Sequence, residues 1–259
     1  HPAYPAIFSC MLGAGTQVFM MFYLCLNAFV FFFSVNSFRP PIFVIIMFVT
    51  ACLGFVNGLV TTRTLKFFGI TDWAFSAAIA CLALPAFIYL SLGAEIVLYA
   101  IAGGYSRNSL FKQLGMTVGW CCLNSFSCWI GSYKGYTLRR VRAQVKVSSM
   151  PREIPPQPRL MNMFFVMLIF GGIQYLTMCM EFSAIVNSLW RSHMYKLFYF
   201  LLVDVILLIL IIGLLSIIQT YMQLQCGNYA WWWRSFWTGS SGGLYLAIYS
   251  FVFLFAEMD

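Results

Sequence analysis

Charge is the scarcest property of this sequence. Only 8% of its 259 residues are Asp, Glu, Lys or Arg, while 62% are hydrophobic. Soluble domains carry about 25% charged residues, so a soluble globular domain is excluded. Histidine is nearly absent, with His1 and His193 far apart, and no C-x-x-C pair occurs among the nine cysteines. Neither spacing offers a metal site. Cys10, Cys25, Cys52, Cys81, Cys121, Cys122, Cys128 and Cys179 fall inside apolar runs, where a thiol behaves as a small apolar side chain. There is no N-x-[ST] sequon, so glycosylation says nothing about orientation. No nucleophile stands beside a base, no glycine loop is shaped for phosphate, and no cofactor is implied. Nothing in the sequence points to an enzyme.

The chain is rich instead in uninterrupted apolar length. Ala6 to Asn36, Pro40 to Thr62, Trp73 to Ala94 and Gln113 to Tyr133 hold no charged side chain. At about 1.5 Å per helical residue, each crosses a hydrocarbon core about 30 Å thick. Barrel strands would give segments of about ten residues with alternating polarity, not such blocks. The fold class is therefore all-α, a polytopic helical membrane protein. Seven spans are expected, at roughly 6–35, 41–62, 73–101, 113–133, 162–190, 197–221 and 236–256.

Gly13-Ala14-Gly15 in the first span allows close helix contact, and Gln17 and Asn27 can bond across an interface. Span two ends in the basic residues Arg63 and Lys66, span three holds Pro85 as an expected kink, and Gly103-Gly104 breaks the helix. The chain begins at His1 without an initiator Met and stops at Asp259 just after an apolar run, so a piece of a longer protein is expected.

One polar stretch divides the chain into a first part (1–133), a basic and proline-rich loop (134–160) and a second part (161–259). Between Lys134 and Arg159 lie seven of the fifteen basic residues and four of the nine prolines. If this loop is cytosolic and the spans alternate, cytosolic segments hold ten basic residues: those seven with Arg63, Lys66 and Arg234. The other side holds five: Arg39, Arg107, Lys112, Arg191 and Lys196. This obeys the positive-inside rule and puts His1 in the cytosol and Asp259 outside or in a lumen. The net charge of +8 is thus an orientation signal, not a nucleic-acid-binding one. Arg139, Arg140, Arg142 and Arg152 suit anionic lipid headgroups, at about 1 kcal/mol per basic residue near the surface. Pro155, Pro156 and Pro158 form a stiff extended strand suited to docking on a partner.

Three acidic residues lie within spans: Glu95, Glu181 and Asp204. No Lys or Arg lies deep in a span to pair with them, so each is expected to be neutral, hydrogen-bonded or facing a wet cavity. Gln174, Thr177, Glu181 and Ser188 fall on one helical face. That face either lines an ion, proton or cargo path or serves as interhelical glue, worth about 0.6 kcal/mol per bond in membranes. Ser91, Glu95 and Tyr99 repeat the pattern more weakly. Asp204 has only apolar neighbours at helical spacing (Phe200, Leu201, Leu207, Leu208), so its partner must come from another helix. Trp231, Trp232, Trp233 and Arg234 open the last span and read as an interfacial anchor.

Several motifs fall in the order of one family. MPREIPPQP (150–158) is close to an Ile-Pro-Arg-Gln-Ile-Pro stretch of the nonaspanins, the nine-spanning transmembrane 9 superfamily. GAGTQVF (13–19), IGSYKG (130–135), GGI (171–173), Glu181 with SLW (188–190), TYMQL (220–224), NYAWWWRSF (228–236) and GSSGGLY (239–245) resemble successive family segments. The family's Pro-Phe-Gly after GGI is replaced by Gln174-Tyr175-Leu176, and a family glutamate by Leu214, as in a divergent member. The resemblance implies that these are the second to eighth of nine helices and that the proline loop is cytosolic. It also implies a sorting or trafficking role in Golgi and endosomal membranes, with other transmembrane proteins as cargo. The alternative from the residues is a proton-coupled secondary transporter using Glu181 or Asp204; four helices followed by three show no internal repeat to support it.

Overall fold

The computed structural model describes residues 2–34, 40–70, 72–101, 107–141, 153–190 and 194–258. Among them there are helices and turns but no strand. α1 runs Pro5–Ser34, α2 Pro40–Cys52, α3 Gly54–Phe68, α4 Trp73–Ile101 and α5 Arg107–Thr137. A single 3-10 turn at Arg159–Met161 precedes α6 (Met163–Trp190), α7 (Met194–Gln225) and α8 (Trp231–Met258). Pro5 and Pro40 open their helices, where the missing N–H costs nothing.

The second expected span proves to be two helices in one rod. Its apolar length runs Val44–Phe68, past the expected end at 62, and is interrupted only at Leu53 between α2 and α3. It stops at Gly69, whose φ of +79° suits glycine. The Gly69 N–H reaches Lys66 O at 3.2 Å and the Ile70 N–H reaches Leu65 O at 3.1 Å, a Schellman closure. α7 ends in the same way at Gly227 (φ +73°), with Gly227 N–H to Leu224 O at 3.0 Å and Asn228 N–H to Gln223 O at 3.2 Å. The last helix begins at Trp231, five residues ahead of the expected 236.

Six stretches among the described residues are long and apolar enough to span a bilayer: Pro5–Phe29, Val44–Phe68, Trp73–Ala94, Met163–Ser188, Phe200–Gln225 and Trp231–Ala256. α5, which contains the expected span at 113–133, has 31 residues and the length to cross, but it is less apolar. Its polar residues Asn124 and Ser132 are fully buried and face α3. Asn124 and Ser132, two of the polar residues that lower its hydropathy, are thus spent on helix packing.

The chain divides into two compact units, one of Ala3–Ala28 and Val35–Lys146, the other of Val147–Asp259 with Phe29–Ser34. In the first, α3 and α5 pack backbone to backbone. A Cβ on Gly54 would meet the Asn124 carbonyl, one on Gly58 the Cys128 carbonyl and Ser132, one on Gly131 the Phe55 backbone, and one on Gly135 Leu59 and Thr62. Two GxxxG spacings thus face each other and let the backbones approach. The paired numbers rise together, so α3 and α5 run parallel, as two crossings separated by one intervening helix must. α4 continues through Pro85, which cannot donate to the Cys81 carbonyl four residues earlier; the Ser125 hydroxyl of α5 donates to that carbonyl at 3.5 Å instead. Ala51, Leu84, Trp120 and Cys121 form the buried apolar cluster of this unit, and the Trp120 indole N–H donates to Thr50 Oγ1 at 3.2 Å.

In the second unit α6 and α8 are also parallel: Arg234 reaches Met161, Gly171 lies against Ser241 and Tyr245, and Phe182 packs edge-on to Tyr249 at 5.7 Å. Both units turn large apolar side chains outward, among them Phe75 (74% exposed), Leu90 (73%) and Met180 (77%). So much exposed apolar surface is what a lipid-facing wall presents and what a water-facing one avoids.

Candidate functional site

The interior of each unit is organised by side-chain amides on apolar helices. In the first, Gln17 of α1, Asn57 and Thr61 of α3, and Asn124 of α5 are all fully buried. Gln17 Nε2 donates to Asn124 Oδ1. Asn57 Nδ2 donates to Gln17 Oε1 at 3.0 Å and to Ala80 O of α4 at 3.2 Å, and Thr61 Oγ1 donates to Asn57 Oδ1 at 3.2 Å. Four helices are thereby joined through one network, and Gly13 of α1 is needed because Asn57 and Thr61 occupy the space its Cβ would take. Asn124 Nδ2 and Ser132 Oγ are buried without a hydrogen-bond partner among the described residues. Of the two polar residues expected to bond across an interface, Gln17 does so; Asn27 is corrected, because its Nδ2 donates to its own helix at Tyr23 O, 2.8 Å away.

In the second unit Gln174 is 2% exposed. Its Nε2 donates to Thr238 O at 3.0 Å and its Oε1 accepts from the Gly242 N–H at 3.2 Å, satisfying both ends of the amide on one neighbour. Gly242 has to lack a Cβ, since Gln174 fills that position. Thr177, three residues on, donates back to its own helix at Ile173 O (3.1 Å) and Gln174 O (2.8 Å). Glu181 and Ser188 are half-buried. The first member of the stripe is fully paired between α6 and α8, and its second is turned onto its own backbone. Glu95 lies on α4, with its side chain outside the described residues.

Asp204 is buried, at 6% exposure. Its Oδ1 has no hydrogen-bond partner among the described residues, and Glu181 of α6 lies within electrostatic reach. Farther along α7, Gln219 Nε2 donates to Gln223 Oε1 at 2.9 Å. Both residues are buried, which leaves Gln219 Oε1 and Gln223 Nε2 without partners among the described residues. Asn57, Thr61, Asn124, Gln219 and Gln223 were not singled out from the sequence. The signal for them was an amide or hydroxyl inside a charge-free run, with the i, i+4 spacing of Gln219 and Gln223 as the clearest trace.

The proline strand is held by its own chain. Gln157 Nε2 donates to Pro155 O at 3.0 Å and to Cys226 O in the α7–α8 turn at 3.1 Å. A Cβ on Gly227 would meet Pro155 Cγ at 3.2 Å, so that glycine is required by its backbone and by its neighbour. Ile154, Pro155, Pro156 and Gly227 border a cleft of about 360 Å³ together with Glu153. Arg234 Nη1 donates to Met161 O at 2.9 Å and so ties α8 to the turn before α6. Trp231 and Trp232 stack at 4.0 Å, and Trp233 meets Phe236 edge-on at 5.9 Å. Arg139 and Arg140 are exposed just beyond α5; Arg142 and Arg152 lie outside the described residues.

Comparison with known proteins bears on what this amide-lined, lipid-walled architecture belongs to. The family model described as endomembrane protein 70 matches residues 1–259. Transmembrane 9 superfamily member 10 of Arabidopsis thaliana is 26% identical over 261 residues, covering 100% of this chain and 40% of that protein. Member 8 of the same organism is 27% identical over 252 residues, with 96% and 38% covered. Member 4 of Homo sapiens is 24% identical over 261 residues, with 100% and 40% covered. The chain spans about 40% of the length of these relatives, and no solved structure matches it. Matched from end to end by the family model, and built of helices that suit a bilayer, the chain belongs to the endomembrane protein 70 family of multi-pass membrane proteins, the transmembrane 9 superfamily.

Proposed function

We propose that this protein acts, without catalysis, in the sorting, trafficking or surface localisation of other membrane proteins within Golgi and endosomal membranes. It does so by contact between its own helices and theirs inside the bilayer. The carrying observation is the end-to-end match to a family named for endomembrane proteins. The chemistry that joins the helices within each unit supports the mechanism. Where Gly131 meets Phe55 and Gly242 meets Gln174, absent Cβ atoms and amide side chains make the contacts. The same residue types drive association between separate helices in lipid, where hydrophobicity supplies little force.

Photo-crosslinking from lipid-facing positions of α6, α7 and α8 in the full-length protein tests this reading. Adducts with other transmembrane proteins are expected, and adducts with lipid alone contradict it. The competing reading is a proton-coupled transporter, favoured by one observation: the unpaired, buried Asp204 Oδ1 beside Glu181. A carboxyl inside a membrane is costly, and such groups mark ion and proton paths. A transporter loses proton-coupled solute flux in proteoliposomes on Glu181→Gln. A sorting protein shows no such flux in either form.

A further inference from the structure

One end of the first unit gathers more positive charge than its packing consumes. α3 and α5 are parallel and end together, with Thr62 against Gly135. Arg63 and Lys66 of α3 therefore lie at the level of Lys134, Arg139 and Arg140. The acid in the adjoining connection is Asp72, and no ion pair joins it to these residues among those described. Two of the five cations have structural work. Lys66 Nζ donates to Tyr136 O at 2.6 Å and Leu138 O at 2.7 Å, closing the carbonyl end of α5, and it lies 5.2 Å from the centre of the Tyr136 ring. Arg140 Nη2 donates to Phe67 O at 3.3 Å over Gly69, where a Cβ would meet it at 3.3 Å. α3 thus supplies the cation for the C-terminus of α5, and the segment just after α5 supplies the one for α3, where the aligned peptide dipoles leave partial negative charge.

With both ends capped, Arg63, Lys134 and Arg139 remain exposed and have no hydrogen-bond or ion-pair partner among the described residues. Beneath them sits an aromatic cluster: the Trp73 ring stacks on Tyr136 at 5.1 Å and meets Trp129 at 5.8 Å, with Tyr133 exposed beside them. Trp and Tyr with this placement mark the headgroup level of a bilayer. The surplus cations are consequently held where phosphate and carboxylate groups of lipid lie, not out in bulk water.

We propose that the joined ends of α3 and α5, with the Trp73 end of α4, form a binding surface for the headgroups of anionic phospholipids. Arg63, Lys134 and Arg139 are its ligands, and Lys66 and Arg140 are its structural caps. The surface is assembled from three helices, which sets it apart from a basic loop attracted to the membrane as a diffuse charge.

The test uses the full-length protein reconstituted in phosphatidylcholine vesicles containing a minor fraction of phosphatidylserine, then extracted in mild detergent, with retained phospholipid counted by mass spectrometry. The wild-type protein is expected to retain phosphatidylserine more than about tenfold above its bulk ratio. The variant Arg63→Gln/Lys134→Gln/Arg139→Gln should fall at least tenfold in that preference, since each basic residue near the surface contributes appreciably, while keeping its melting temperature. Lys66→Met should lower the melting temperature. Should the triple variant fail to fold, Arg139→Gln alone is measured and should lose about fivefold. Retention at the bulk ratio by the wild type, or wild-type retention by the folded triple variant or by Arg139→Gln, overturns the assignment.

Discussion

At the scale of single residues, the interior depends on atoms that are missing or amides that are paired. Replacing Gln17 by Leu removes the donor to Asn124 Oδ1 and the acceptor from Asn57 Nδ2, leaving fully buried groups short of partners. An orphaned buried polar group costs about 1–3 kcal/mol, so thermal unfolding of Gln17→Leu in detergent should show a clearly lower midpoint. Asn27→Leu, at an exposed site bonded only to its own turn, should change little. Glycine makes a second contrast. Gly131→Ala drives a methyl into the Phe55 backbone, whereas a Cβ on Gly115 meets nothing within 4 Å. Overpacking of this kind costs about 1–3 kcal/mol, and backbone cannot yield as a flexible side chain does. Gly131→Ala is therefore expected to destabilise, and Gly115→Ala to be neutral or slightly stabilising through helix propensity. Equal effects at the two positions would contradict the α3–α5 contact.

At the scale of elements, helix ends are as informative as helix faces. α3 and α7 both close on glycines with positive φ, Gly69 and Gly227, and α5 closes on a lysine from another helix. Lys66→Met should speed amide hydrogen exchange in the last turn of α5, because its carbonyls lose their partner and the turn frays. The expected loss is about 0.3–1 kcal/mol, the usual worth of a cation at a helix C-terminus. The core of α5 around Cys128 should keep its protection. The apolar runs made most of these helices legible in the sequence, since a charge-free block of twenty or more residues has few other forms in lipid. The break at Leu53 was not legible, because no proline marks it and the run stays apolar across it. The ends of α2–α3 and α8 were misplaced for a related reason. The expected bounds of 41–62 and 236–256 follow the apolar runs, whereas the helices continue through Arg63 and Lys66 and begin already at Trp231.

At the scale of the whole molecule, class and family could be read before packing could. MPREIPPQP and NYAWWWRSF carried the family resemblance, and the match over residues 1–259 bears it out. The facing GxxxG pairs at Gly54/Gly58 and Gly131/Gly135 were present in the sequence but had no meaning until each found the other, because small residues inside apolar helices are common and only a partner gives them a role. The same holds for Gln17 and Asn27: two similar polar residues ten positions apart, one of which bonds to two other helices while the other serves its own backbone. Asp204 is costly by its apolar neighbours in the sequence, and it is buried with one carboxylate oxygen unpaired among the described residues.

We propose that the outer helix walls of this protein meet other membrane proteins. A photoreactive residue placed in the full-length protein at Leu176, Met180, Leu214 or Ile248, each well exposed on α6 to α8, reads this directly when activated in native endomembranes. Discrete adducts with transmembrane proteins are expected, and they should be lost when the photoreactive group is moved to buried Met178. Adducts with lipid only, at all four positions, would contradict it.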